Sequence, residues 1–160
     1  MMRSPTAAYF GAEENVSKGP RRVYEVFVRA TPERVWRGIT VQVSAAASTA
    51  PQSTWQPGAP VTWTMADGTH VVEGQVLKVD QPRKLVHTLS ARWSDAVRAD
   101  RPSRVTWEIT PMGEMSKLSL VHDDFDGETA TYRDVAGWAW ILSSLKSLLE
   151  IGEPLPAPQG

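Results

Sequence analysis

Two histidines lie where an imidazole side chain could do chemistry inside the protein. His87 and His122 each alternate with leucines along the chain. Residues two apart in a β-strand point to the same face, so each imidazole is predicted to share an apolar face with those leucines. There a neutral imidazole could orient a ligand by one hydrogen bond or transfer a proton, or it could be a core histidine satisfied by neighbouring groups. The leucines concerned are Leu85, Leu89, Leu118 and Leu120.

Neither the third histidine nor the acidic run after His122 is predicted to form a functional site. His70 follows the Asp67-Gly68 pair of a predicted hairpin turn and is expected at the surface. His122 and Asp123 are adjacent, so on a strand their side chains point to opposite faces and should not converge on one metal ion. We interpret the acidic residues that follow as the lead-in to a helix N-terminus, where negative charge is favourable. No metal site, cofactor or catalytic residue is therefore predicted.

The sequence motifs of the common enzyme classes are missing from this chain. It has no cysteine, which excludes disulfides, thiolate metal sites and cysteine nucleophiles. It has no HExxH zinc motif, no glycine-rich nucleotide-binding loop and no GxSxG nucleophile elbow. Whether the protein is an enzyme is therefore left open by these residues.

Seven tryptophans are the unusual feature of the composition. Each indole is large and carries one N–H group that needs an acceptor when it is buried. We expect most of them in the core and the remainder in the wall of a pocket. The residues predicted to contact a ligand are Trp63, His87, Leu89, Trp107, Leu120, His122, Trp138 and Leu142.

Most of the chain between residues 22 and 123 has the alternation typical of β-strands. Trp63 lies in one such segment, and the Asp-Gly pair after it predicts a hairpin. Thr31 followed by Pro32 predicts the start of a short helix after the first strand. The stretch 41–53 is open to interpretation as a second short helix or as a loop. The predicted strands cover residues 22–30, 61–65, 70–80, 84–93, 104–110 and 117–123.

The last element is predicted to be a single long helix from about residue 128 to 150. Its apolar residues recur three or four positions apart, which places them on one stripe. Asp126 or Thr129 could cap its start, and Gly152 and Pro154 end it. Such a helix is roughly 33 Å long, and its stripe must be buried against the strands. The stripe comprises Tyr132, Val135, Trp138, Leu142, Leu145 and Leu149.

The order of these elements predicts an α+β fold. A curved antiparallel sheet of about six or seven strands should wrap around the long C-terminal helix, with one or two short helices after the first strand. Trp140 lies on a different helical face from Trp138, so it could cover a second apolar surface. We interpret that surface as a candidate contact between two copies of the chain, which leaves a homodimer open.

Composition places the chain among ordinary globular proteins. Its 160 residues suffice for one domain with a sizeable core and are too few for two. The net charge of −1 gives no reason to expect nucleic acid as a partner, and no stretch approaches the ~20 apolar residues that span a bilayer. The N-terminus has no signal-peptide pattern, and together with the absence of cysteine this leads us to expect a cytoplasmic protein. We predict a flexible arm over residues 1–20, the folded domain over 21–153 and an extended, disordered tail over 154–160.

Four segments of the sequence resemble one protein family. They are VYEVFVRATPERVWRGIT, VVEGQVLKVDQPRKLVHTL, SRVTWEITPMGEMSKLSLVHDDF and GWAWILSSLKSLLEIGEPL, which together span about residues 22 to 155. These segments resemble the family of the activator of the heat-shock protein 90 ATPase, a member of the START-like (SRPBCC) superfamily, and the resemblance implies its helix-grip fold. One departure concerns the pocket entrance. The family usually has a second helix with Asp-Pro and an aromatic residue there, whereas residues 41–53 contain neither Asp nor an aromatic residue.

The resemblance implies three alternative functions. The first is binding of an apolar small molecule, such as a lipid or a polyketide, in a cavity between the sheet and the C-terminal helix. The second is a cyclase- or hydrolase-like enzyme that uses His87 or His122 as acid or base. The third is a chaperone-associated interaction module. A heat-shock protein 90 homologue is nevertheless not expected as a partner, because the eukaryotic activators use further segments that 160 residues cannot contain. We take the first alternative as the prediction.

Overall fold

The alternating segments of the sequence form one antiparallel sheet. The computed structural model describes residues 19–42, 49–65 and 67–156. The strands are β1 (Arg22–Val28), β2 (Thr49–Gln52), β3 (Pro60–Met65), β4 (His70–Asp80), β5 (Lys84–Ala91), β6 (Ser103–Met112) and β7 (Met115–Asp123). Their order in the sheet is β1-β7-β6-β5-β4-β3-β2. The chain therefore crosses from one edge of the sheet to the other after β1 and returns strand by strand until β7 pairs with β1.

The burial of the strands follows the predicted alternation. In β5 every second residue is buried, beginning with Leu85, and β6 alternates in the same way from Ser103. Strand β4 has the predicted bounds, residues 70–80. Strand β2 forms within the stretch 41–53, of which residues 43–48 lie outside the described part of the chain. Residues 1–18 of the predicted N-terminal arm also lie outside it.

Within the described residues, four α-helices accompany the sheet, and capping side chains begin three of them. The helices are α1 (Pro32–Arg37), α2 (Asp95–Arg98), α3 (Ala130–Asp134) and α4 (Trp138–Ile151). Thr31 Oγ1 accepts a hydrogen bond from the backbone N–H of Arg34 at 3.2 Å, as the predicted cap of α1 requires. A π-helical turn over Gly38–Gln42 then continues α1. In the described part of the chain, no helix has both the length and the apolar character needed to cross a membrane.

The C-terminal helix is interrupted, although a single helix was expected over residues 128–150. Helix α3 is followed by a 3₁₀ turn over Val135–Gly137, and α4 begins only after that turn. The 14 residues of α4 make it about 21 Å long. The two pieces are held by different neighbours, because Thr131 of α3 donates two hydrogen bonds to Asp100, at 2.9 and 2.6 Å, whereas α4 packs on β1. Thr129 is the cap that is used, and Gly152 ends α4 with φ at 83°.

Helix α4 covers one face of the sheet, which is called the inner face below. The second half of the predicted stripe, Leu142, Leu145 and Leu149, is buried there among the leucines and valines of the strands. The turn after α1 also packs closely on α4. A Cβ atom on Gly38 would lie 3.0 Å from Leu145 Cδ1, so a side chain at this position would force the leucine to move by a few tenths of an ångström. The core thus lies between the inner face, α1 and α4.

Trp93 lies elsewhere than the sequence pattern predicted. The predicted strand over residues 84–93 would place Trp93 on the same face as Leu85 and Leu89, but β5 ends at Ala91 and the alternation ends with it. The indole of Trp93 is 43% exposed and donates a hydrogen bond to Asp134 Oδ2 at 2.9 Å. It therefore connects the loop after β5 to the end of α3.

The first residues of the predicted tail lie along α4. The backbone N–H of Leu155 donates to Ser144 Oγ at 2.9 Å, and the indole of Trp140 donates to the carbonyl oxygen of Pro156 at 3.1 Å. Residues 154–156 are thus held to the helix, whereas an extended, disordered tail was expected from residue 154. The half-buried Trp140 is engaged by the tail of its own chain.

Candidate functional site

Three strands bring the two predicted histidines close together on the inner face. His87 of β5 lies opposite Val105 of β6, and Val105 lies opposite His122 of β7. The two imidazoles therefore flank one valine in a row across three strands, with their backbones about 10 Å apart at the usual strand spacing. Trp107 lies two residues further along β6 on the same face. The face on which each residue lies could be predicted from the sequence. That His87, Val105 and His122 lie side by side could not, because it depends on the pairing register of the three strands.

Both ring nitrogens of His87 are hydrogen bonded. The indole N–H of Trp107 donates to Nε2 at 3.0 Å, and Nδ1 lies 2.8 Å from the carbonyl oxygen of Thr88. An indole can only donate and a carbonyl can only accept, so the proton of the neutral ring lies on Nδ1. Burial of this side chain, which is 1% exposed, lowers the pKa of His87 to about 4. The imidazole is therefore uncharged near neutral pH.

His122 is bound in a matching way from the helix side. The indole N–H of Trp138, the first residue of α4, donates to Nδ1 at 3.0 Å. Nε2 lies 2.7 Å from Ser103 Oγ, which in turn donates to the carbonyl oxygen of Leu89 at 3.2 Å. The proton of this ring therefore lies on Nε2 and is donated to the serine. Burial lowers the pKa of His122 to about 3, with smaller contributions from the charge of Arg22 and from the charge that His87 would carry once protonated in acid.

The two indole–imidazole pairs belong to a continuous group of rings, which we name the aromatic cluster. Its centre is an edge-to-face contact between the indoles of Trp107 and Trp138, with centroids 5.5 Å apart and planes at 89°. Trp63 of β3 extends it from His87, at a centroid distance of 5.2 Å. The members of the aromatic cluster are Trp63, His87, Trp107, Trp138, His122, Phe125 and Tyr132.

The other end of the aromatic cluster is closed by a cation. The ring centroid of Phe125 lies 4.5 Å from that of His122, and the ring centroid of Tyr132 in α3 lies 5.2 Å from that of Phe125. The guanidinium of Arg22 stacks 4.3 Å above the Tyr132 ring and donates from Nε to the backbone carbonyl of the same residue at 3.0 Å. This end is therefore tied to β1.

The predicted ligand contacts fall into two groups by exposure. Five of them are members of the aromatic cluster, and the three leucines belong to the surrounding core. Trp63 and Trp138 are half-buried. The other six are 0–5% exposed and are covered by protein atoms, namely His87, Leu89, Trp107, Leu120, His122 and Leu142. Their contact with a ligand stays a prediction.

Four residues of this arrangement were not among the predicted site residues, namely Arg22, Ser103, Phe125 and Tyr132. Ser103 links His122 to β5, and Phe125 stacks on the His122 ring. Ser103 lies on the same face of β6 as Val105 and Trp107, so its burial could be predicted from the alternation of the strand. Its hydrogen bond with His122 could not be predicted, because that contact depends on the register between β6 and β7.

The acidic neighbour of His122 points away from the aromatic cluster. Asp123 receives two hydrogen bonds from the Arg104 guanidinium, from Nε to Oδ1 and from the terminal nitrogen to Oδ2, both at 2.9 Å. His122 and Asp123 therefore face opposite sides of β7, as predicted. Across residues 19–42, 49–65 and 67–156, no three histidine or carboxylate side chains lie close enough together to hold a metal ion.

Three solved structures have folds similar to this one. The Aha1 dimer from Colwellia psychrerythraea is 15% identical with a TM-score of 0.66, over 83% of this chain and 98% of that one. PFC0360w, an HSP90 activator from Plasmodium falciparum, is 18% identical with a TM-score of 0.66, over 85% and 99% of the two chains. DynU16, a putative protein in the dynemicin biosynthetic locus, is 21% identical with a TM-score of 0.68, over 84% and 48%. At these identities the likeness supports the helix-grip fold alone.

The sequence itself identifies the family. No curated protein matches it. A family model described as "Activator of Hsp90 ATPase homolog 1-like protein" matches residues 20–150, almost the whole described domain. Together with the seven-stranded sheet and the C-terminal helix, this match agrees with the four segments that suggested the same family. The chain belongs to the family of Activator of Hsp90 ATPase homolog 1-like proteins.

Proposed function

We propose that this protein binds an apolar small molecule between the inner face of the sheet and the C-terminal helix, against the half-buried indoles of the aromatic cluster. The observation that carries the proposal is the pairing of each buried imidazole with an indole N–H. This pairing leaves a group of uncharged rings next to two tryptophans that are still partly exposed. Such a surface suits a ligand with apolar faces.

The electrostatics of the aromatic cluster support an uncharged ligand. Both imidazoles are neutral near pH 7, because burial lowers the pKa of His87 to about 4 and that of His122 to about 3. A charged group placed among these rings would lose its hydration without gaining a partner of opposite charge. The cation at this site, Arg22, is already stacked on Tyr132.

The hydrogen-bonding capacity of the aromatic cluster also favours a ligand with few polar groups. Trp107 and Trp138 each donate their N–H to a histidine, so neither is free to bind a polar ligand group. For Trp63 no acceptor is found among the described residues. We therefore expect one polar contact at most from the indoles, between Trp63 Nε1 and an acceptor such as a carbonyl oxygen of the ligand.

Exposure limits where the ligand can lie. Leu120 and His122 are 0% exposed, so protein atoms already cover both side chains completely. A ligand would therefore first meet Trp63 and Trp138. It would reach the deeper residues only if Trp138 released His122. We therefore expect the ligand to contact the half-buried indoles of Trp63 and Trp138 rather than the fully buried residues of the predicted site.

Acid–base catalysis, the second hypothesis, has weaker support. The ring nitrogen that could accept a proton is occupied in both histidines by an indole N–H. Pronounced lowering of the pKa also makes each imidazole a weak base near neutral pH. Either histidine would have to lose its tryptophan partner before it could take a proton from a substrate.

The binding proposal is tested by titration with two probes. One is cis-parinaric acid, a fluorescent fatty acid that accepts energy from tryptophan, and the other is anthraquinone, a fused-ring compound. We expect saturable tryptophan quenching by at least one probe and a raised melting temperature. Trp63→Leu should weaken binding about tenfold. The control Trp93→Leu, on the exposed loop after β5, should leave it unchanged.

A negative result would be equally clear. Absence of quenching by both probes, together with a native mass spectrum showing no small molecule on protein purified from its own host, would contradict the proposal. Retained affinity in Trp63→Leu would contradict the placement of the ligand and leave binding itself standing.

Self-association is a separate part of the proposal. The sequence left a homodimer open, and the similar structure from Colwellia psychrerythraea is described as a dimer. We propose that this chain also forms a homodimer. A heat-shock protein 90 homologue is still not expected as a partner, although the similar Plasmodium falciparum protein is described as an HSP90 activator. A pull-down with ATPase readout would test that expectation.

A further inference from the structure

The indole N–H groups of the seven tryptophans divide into two sets. Four of them donate to an acceptor within the described part of the chain, namely those of Trp93, Trp107, Trp138 and Trp140. No acceptor is found among the described residues for the other three, Trp36, Trp55 and Trp63. Trp55 and Trp63 are half-buried, so water can accept from them. The third member of this set is buried and needs another explanation.

Trp36 of α1 is that buried member, and it was not among the predicted ligand contacts. It is 6% exposed, so protein atoms cover more than nine-tenths of it. Buried polar groups almost always have a partner, and a donor left without one costs stability. The hydroxyl of Thr40, one helical turn further on, is itself a donor to the backbone carbonyl of Trp36 at 2.9 Å. The open indole N–H therefore indicates a partner that another molecule supplies.

The position of Trp36 connects it to the proposed binding site. Trp36 belongs to the buried core against which Trp55, Trp63 and Trp138 pack. Its helix lies on β6 and β7, and the π-helical turn that continues the helix packs on β2 and on α4. Strand β2 in turn pairs with β3, where Pro51 lies opposite Trp63. Trp36 is therefore at the α1 end of the same space between the inner face and α4.

The chemistry of this donor selects the polar group of the ligand. An indole N–H can only donate, so its partner must be an acceptor. A carboxylate placed here would lose its hydration and would need a cation in return. Arg34, the cation of α1 that reaches α4, already donates to the backbone carbonyl of Leu149 at 2.6 Å. A neutral carbonyl oxygen, as in a ketone or a quinone, suits this donor better than a carboxylate.

We propose that Trp36 is a further ligand-binding residue, whose indole N–H donates to a carbonyl oxygen of a fused-ring ketone or quinone. The inference rests on the binding function proposed above and names the class of its ligand. Trp63 and Trp138 contact the apolar faces of such a ligand, whereas Trp36 recognises one of its oxygens. The contact requires the π-helical turn to move away from β2, and it leaves the bond between Trp138 and His122 in place.

A pair of matched compounds tests the hydrogen bond. Anthraquinone carries two carbonyl oxygens, and anthracene has the same fused rings without them. Trp36→Phe keeps a ring but removes the donor, so it should bind anthraquinone about tenfold more weakly and anthracene as the wild type does. Trp63→Leu removes a stacking surface and should weaken the binding of both compounds. Trp93→Phe, the same substitution on the exposed loop after β5, should change neither affinity.

A second measurement uses the wild-type protein and does not depend on the folding of a variant. In a ¹H–¹⁵N spectrum, the indole proton of Trp36 should shift downfield with anthraquinone but not with anthracene. An unmoved Trp36 signal in a complex that shifts Trp63, or an equal loss of affinity for both compounds in Trp36→Phe, would overturn the inference and leave the binding function standing. Binding of cis-parinaric acid without binding of anthraquinone would do the same. Absence of binding by all three compounds would end both proposals.

Discussion

The indole N–H of Trp138 donates to Nδ1 of His122 at 3.0 Å, and this bond joins the first residue of the C-terminal helix to the centre of the sheet. The same imidazole is held from its other side by Ser103. The start of α4 and the protonation state of His122 are therefore coupled, because a protonated ring could not accept from the indole. Several consequences of this coupling can be measured.

Removing the indole N–H of Trp138 should destabilise the fold. Trp138→Phe keeps a ring but leaves the buried Nδ1 of His122 without a donor, and an unsatisfied buried acceptor costs about 1–3 kcal/mol. Urea denaturation would measure the loss in the free energy of unfolding. Trp140→Phe is the matched control, because its indole bonds only to the exposed Pro156 carbonyl. Equal losses in the two variants would contradict the role assigned to the His122 bond.

Stability should fall on mild acidification, because both histidines are held neutral. Their pKa values in the folded protein, about 4 and about 3, lie below the 6.5 of an unfolded chain. The unfolded state therefore binds more protons than the folded state below about pH 6.5. The stability that the two neutral histidines contribute is complete above that pH, and it is lost as the pH falls toward 3–4. We expect a loss of about 1–2 kcal/mol per histidine between about pH 7 and pH 5.

Variants separate this effect from general acid sensitivity. His122→Asn keeps an acceptor near the position of Nδ1, and His87→Gln keeps one near Nε2, while neither side chain titrates. Each should reduce the loss measured by urea denaturation between the two pH values by about half. A pH dependence that persists in the double variant His87→Gln/His122→Asn would contradict this account.

Two glycines should respond to alanine in opposite ways. A Cβ atom on Gly74 of β4 would lie 2.1 Å from the carbonyl oxygen of Thr88, and backbone cannot easily move away. Gly74→Ala should therefore cost about 3 kcal/mol or more. Gly137, before α4, has no atom within 4 Å of that position, so Gly137→Ala should leave stability unchanged or raise it by up to about 1 kcal/mol. Thermal unfolding of both variants compares them, and a neutral Gly74→Ala would show that β4 and β5 are not packed as described.

The faces of the strands were predictable from the sequence, because alternation fixes which residues share a face. His87 and His122 were placed correctly with their leucines for that reason. Their indole partners were not predicted, because Trp107 and Trp138 reach them through strand register and through the position of α4. The interruption of the C-terminal helix was missed as well, since the stripe continues through Val135 while the backbone tightens there. Trp93 was misplaced because alternation alone does not say where a strand ends.

The seven indole N–H resonances of the protein offer the most direct test of ligand binding at the aromatic cluster. In a ¹H–¹⁵N spectrum, each signal can be assigned by substituting one tryptophan at a time. Addition of cis-parinaric acid or anthraquinone should shift the signals of Trp63 and Trp138 and leave those of Trp93 and Trp140 in place. A spectrum unchanged by both probes, or shifts confined to Trp93 and Trp140, would contradict the proposed site.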